Sequence, residues 1–105
     1  MKNKLKVYDK KTPIPEDLKP ILWSKSINNL DPETDKIYII HQVLAYGGID
    51  DIKILKKIYS DREIKNIFIN FPKRIYTRAV FLFIRNFILN IDNELNERDH
   101  VKSFT

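Results

Sequence analysis

At 105 residues, with 43% hydrophobic and 31% charged residues, the chain is one globular domain with room for a single core, not a disordered polymer. It contains no cysteine, which excludes a disulfide framework and any thiolate metal or redox site and fits a reducing cytoplasm. The net charge of +5 is unevenly placed: residues 51–85 hold nine Lys or Arg against three Asp or Glu, whereas residues 21–50 and 86–105 are each net acidic. Abundant Ile, Lys and Asn also fit an AT-rich genome, which produces lysines that serve no partner.

Residues 1–20 hold six lysines together with Pro13, Pro15 and Pro20, a composition that disfavours a long helix and predicts an extended basic arm. Val7, Tyr8 or Ile14 could pin that arm to the domain or to a partner. The opening MKNKLKVYDKK has no apolar run after its lysines, so no signal peptide is expected. Leu22 and Trp23 stand in a polar stretch and are expected to anchor the chain on the helical core, the alternative being exposure at an interface.

Residues 31–48, DPETDKIYIIHQVLAYGG, predict the first helix and both its ends. Asp31 can cap the first turn, Pro32 suits the first helical position, and Glu33 and Asp35 oppose the dipole there. Ile37, Ile40, His41 and Leu44 recur at helical spacing with Val43 beside them, and Gly47 or Gly48 can stop the helix in the left-handed conformation. These are the only glycines, so no phosphate-cradling loop is present.

A second helix is expected from a cap at Asp50 to about Tyr59, facing Ile52, Leu55, Ile58 and Tyr59 inward. Ser60 and Glu63 have capping-box spacing and start a third helix with Ile64, Ile67 and Phe68 on its apolar row, ended by Pro72. A fourth is expected from a cap at Thr77 to about Ile91. Its Val80, Phe81, Phe83, Ile84, Phe87, Ile88 and Ile91 cover more than one face, which requires either a central position or burial by another chain. The last segment, DNELNERDHVKSFT, reads as a frayed acidic tail. The fold class is therefore all-α: an arm over 1–20, a four-helix domain over 21–91 and a polar tail over 92–105.

The string YIIHQVLAYGGIDDIKIL, with ILW upstream and IYSDREIKNIF downstream, resembles a group of small uncharacterised prokaryotic proteins with an II-x-x-VL-x-YG-x-x-D core. Many of those are encoded beside nucleotidyltransferase toxins of the AbiEii type. The likeness runs from Leu18 to Phe81 and consists mostly of packing residues. It implies a helical antitoxin-like or accessory protein with a toxin-like partner, and it maps no catalytic residue onto the chain.

The residues themselves offer little chemistry. His41 is expected as a partly buried helix residue with its polar tip at the core edge, and His100 as too poorly anchored to act. Without cysteine or a His-x-x-x-His pair, no metal or cofactor site is expected. The carboxylate clusters at 31–35 and 50–51 are accounted for as caps and dipole partners, and no nucleophile has a matching base, so no enzyme is expected.

Two surfaces carry positive expectations. Surplus apolarity on the fourth helix predicts a protein interface through Phe83, Phe87 and Ile88, with Trp23 as a further contact, to a toxin or to a second copy. The second and third helices resemble a helix-turn-helix, which would put Arg62 and Lys65 at DNA base edges and Lys73, Arg74 and Arg78 on phosphates. The competing reading of those cations is a solvated helix face.

Overall fold

The computed structural model describes residues 14–23, 29–92 and 94–102. Its helices are α1 (Lys36–Tyr46), α2 (Ile49–Ile58), α3 (Asp61–Asn70) and α4 (Arg78–Phe83), the last continuing into a π-helical turn, Ile84–Ile88. Single 3₁₀ turns lie at Glu16–Leu18 and Glu97–Asp99, and the only β pairing among the described residues is an isolated bridge between Tyr76 and Val101. The fold is all-α, and α1 is its hub, packing against both α2 and α3.

The expected start of α3 is present. The Ser60 hydroxyl accepts from the Glu63 amide at 3.1 Å, while Glu63 Oε1 accepts from the Ser60 amide at 3.4 Å. Glu63 does a second job through Oε2, which lies 3.3 Å from Lys36 Nζ and ties α3 to the start of α1. Ser60→Ala should therefore cost about 1 kcal/mol, read as a lowered urea midpoint at constant slope. Ile64, Ile67 and Phe68 are buried as their spacing predicts, as are Ile52, Leu55, Ile58 and Tyr59 on α2. Thr77 caps α4 by accepting from the Val80 amide at 3.2 Å.

Several local details differ from expectation. Asp31 does cap a turn, accepting from the Glu33 and Thr34 amides at 2.7 and 3.1 Å, but continuous α-helix begins only at Lys36. The turn before it is held from the far side, because the Tyr59 hydroxyl donates to the Pro32 carbonyl at 2.5 Å. Ile37 is turned outward, and Ile39 takes the fully buried place on α1. Asp50 is not the cap of α2: Gly48 holds that position, and Asp51 Oδ2 accepts the Gly48 amide at 2.8 Å.

Neither glycine is left-handed, with φ of −86° at Gly47 and −94° at Gly48. What requires a glycine at 47 is space. A Cβ there would stand 2.7 Å from the Val43 carbonyl oxygen and 2.9 Å from Asp51 Cβ, because α2 starts directly against the last turn of α1. The left-handed position falls instead on Asn90, at φ 50°. The helix there stops at Ile88, short of the expected Ile91, and the Ile91 amide reaches back to the Arg85 carbonyl at 2.9 Å.

Both ends of the described chain pack more closely than their composition suggests. Ile14 and Leu18 are buried in the core, so residues 14–20 are not an extended arm, and the rest of the expected arm, 1–13, lies outside the described residues. Residues 94–102 do not fray. The Tyr76 amide donates to the His100 carbonyl and the Lys102 amide to the Tyr76 carbonyl, each at 2.9 Å.

Candidate functional site

Proline explains why the C-terminal segment folds back. In an uninterrupted helix the Phe68 carbonyl would accept from the amide of residue 72, but Pro72 has no N–H to give. His100 supplies the missing donor: its Nε2 lies 2.7 Å from the Phe68 oxygen. His41, from α1, does the same one turn on, with Nε2 2.7 Å from the Phe71 oxygen. Two histidines thus close the C-terminal end of α3.

A carbonyl oxygen only accepts, so both rings carry their proton on Nε2. His41 Nδ1 is then a lone pair and accepts from the Tyr76 hydroxyl, 2.7 Å away and itself fully buried. His100 Nδ1 is buried with no hydrogen-bond partner. Phe68 lies between the rings, with its centroid 4.4 Å from His100, 5.5 Å from Tyr76 and 6.3 Å from His41, and Phe81 packs 5.1 Å from His100.

Burial lowers the His41 pKa to about 4, the carbonyl of Phe71 working in the opposite direction and the charges of His100 and Lys73 adding to the fall. Burial likewise pushes the Tyr76 hydroxyl well above its ordinary value, so it stays a donor. The expectations of an edge-of-core His41 and a loose His100 are both corrected: both are essentially inaccessible. Pro72 was the sequence signal for His100, since it orphans a carbonyl that some donor must satisfy.

The expected partner-binding residues are split by the fold. Phe83 and Phe87, one turn apart, are 40% and 72% exposed, and their rings lie 6.0 Å apart. Ile88 is only half-buried, while Phe81, Ile84, Leu89 and Ile91 from the same stretch turn into the core. The exposed residues from Ala79 to Asn90 are Ala79, Phe83, Asn86, Phe87 and Asn90, which carry no charge. Leu22 anchors as expected, but Trp23 does not: it is 60% exposed and sits edge-on to Tyr46 at 4.9 Å, with Lys102 Nζ 6.0 Å above the Tyr46 ring.

The five cations expected on DNA separate into two groups. Arg62 and Lys65 share the outer face of α3 and line a shallow groove with Asp61, Asn66 and Ile69. The other three have partners within the chain. Arg78 pairs with Glu97 at 3.1 Å, Arg74 Nε donates to the Arg98 carbonyl at 2.8 Å, and Lys73 sits 5.7 Å over the Tyr38 ring. Arg74 and Arg78 thus also help to hold residues 94–102 in place.

No set of three or more His, Asp or Glu side chains is grouped for a metal ion among the described residues, and no helix among them is long and apolar enough to cross a membrane. Residues 18–68 match a family of unknown function, DUF6922. That span starts on Leu18, the last residue of the first 3₁₀ turn, and takes in α1, α2 and most of α3, ending on Phe68; α4 and the C-terminal segment lie beyond it. No curated protein and no solved structure matches the chain.

Proposed function

We propose that this is a non-enzymatic, antitoxin-like accessory protein that binds and restrains a partner nucleotidyltransferase toxin through the exposed face of α4. The observation that carries the reading is the pair Phe83 and Phe87, two large rings left in solvent side by side on an uncharged stripe. Burying an aromatic side chain contributes roughly 1.5–3 kcal/mol, so two adjacent rings can dominate a small interface. The choice of a toxin as partner rests on the sequence resemblance, and Trp23 offers a second exposed aromatic contact.

The test is co-purification from the native host with the wild-type chain and with Phe83→Ser/Phe87→Ser. Wild type is expected to recover a nucleotidyltransferase. The double variant should lose at least about tenfold in recovery, since 1.4 kcal/mol already corresponds to that factor. Its thermal midpoint should stay at or above wild type, because neither ring is core. Equal recovery by both chains, or recovery of no nucleotidyltransferase, rejects the reading. Duplex DNA binding that Arg62→Glu/Lys65→Glu abolishes, with a steep salt dependence, would instead favour a nucleic-acid function, and self-association without either ligand would favour an oligomer.

A further inference from the structure

We propose that the exposed face of α4 also pairs with the same face of a second copy of this chain, the two helices running antiparallel about a two-fold axis near residue 85. The self-pairing does not rest on the partner reading. It uses the same face, so a copy that binds a partner must first leave its dimer.

The case for a second copy lies in how the face is arranged about its own centre. Phe83 and Phe87 stand two positions either side of residue 85, so end-for-end pairing brings Phe83 of each copy to Phe87 of the other, as a two-fold interface requires. The exposed residues around the rings, Ala79, Asn86 and Asn90, carry no charge. A chain of net charge +5 can therefore approach itself along this stripe without setting like charges together.

Charge changes sign along the same line. Residues 73–78, leading into α4, hold Lys73, Arg74 and Arg78 and no acid; residues 92–94, past its end, hold Asp92 and Glu94 and no Lys or Arg. Arg78 and Asp92 are each seven positions from residue 85, and both are exposed. A parallel pair would set cation by cation and acid by acid, whereas the antiparallel pair sets Arg78 of each copy toward Asp92 of the other. Arg78 donates to Glu97 through Nε and Nη2, which leaves the Nη1 hydrogens and one on Nη2 for a further acceptor. Asp92 has no ion pair among the described residues. Arg85, at the centre, is the one charge that would meet its like, but it is half-buried and lines a cleft with Glu94 and Glu97 to which neither ring contributes.

The size of the face sets the strength. With Phe83 40% and Phe87 72% exposed, and about 150–250 Å² for a fully buried aromatic ring, the four rings of a pair take roughly 300–600 Å² out of water. Stable interfaces bury about 1,200–2,000 Å² in total. The pair is therefore a weak, exchangeable dimer, which leaves the face available to a better-fitting partner.

The experiment is sedimentation equilibrium of the purified chain, free of host proteins, from nanomolar to millimolar concentration at low salt. Wild type should pass reversibly from 12.6 kDa to twice that mass. Phe83→Ser/Phe87→Ser should raise the dissociation constant at least about tenfold. Arg78→Glu and Asp92→Lys should each weaken self-association severalfold, because each sets like charges together twice per dimer. An equimolar mixture of those two chains should regain wild-type affinity, since every contact across the mixed pair is again opposite in sign. A wild type that stays at 12.6 kDa, growth beyond the dimer, a serine variant that pairs like wild type, or a mixture no stronger than its components would each overturn the proposal. Co-purification of a nucleotidyltransferase can succeed with a monomeric chain and fail with a dimeric one, so the two readings fail separately. The wild-type measurement decides even if a variant does not fold.

Discussion

Phe68→Ala should destabilise the protein by about 4 kcal/mol, the cost of removing a buried aromatic ring and leaving its cavity. The ring is fully buried and lies between His41, Tyr76, Phe81 and His100, so its loss removes packing from α1, α3, α4 and the C-terminal segment at once. A domain of this size has a total stability of roughly 5–15 kcal/mol, so the variant should be marginal at 37 °C. In thermal unfolding the midpoint should fall by about 20 °C. A fall of only a few degrees would mean that the neighbouring rings close the cavity.

Gly47→Ala should cost about 2 kcal/mol, a large effect for one methyl group at a surface turn. The backbone conformation there suits alanine, so the cost is steric. The new Cβ meets the Val43 carbonyl at 2.7 Å, an oxygen that also accepts the Gly47 amide and cannot withdraw without losing the last bond of α1. Gly48→Ala is the control: the nearest atom to its added Cβ is Asp51 Oδ2 at 3.9 Å, an ordinary contact. Chemical denaturation of the two variants should show a loss at 47 several times that at 48. Equal losses would point to the flexibility of the unfolded chain as the common cause.

Most helix signals were legible because each acts within a turn or two of itself. Ser60 and Glu63, Thr77, and the rows Ile52, Leu55, Ile58 and Ile64, Ile67, Phe68 need only near neighbours to be read, and all do what their spacing implies. The apolar excess of the fourth helix was also legible, and Phe83 and Phe87 are the part of it left outside. Of the three residues expected on the outer face, only Ile88 is half-buried instead, and it lies in the π turn at Ile84–Ile88, where regular helical spacing does not hold.

The sequence by itself determined the all-α class, the inward row of α2 and the starts of α3 and α4, since caps, proline stops and helical periodicity are properties of short stretches. Only the tertiary structure decided the burial of His100, the closure of α3 by two histidines, the exposure of Trp23, the crowding at Gly47 and the internal pairing of Arg74 and Arg78. Each depends on groups from separate elements arriving in contact, such as His100 against Phe68, 32 positions away. The physical reason is hydrogen-bond satisfaction: Pro72 leaves a carbonyl that must find a donor, but where the donor comes from is set by how the chain returns to α3.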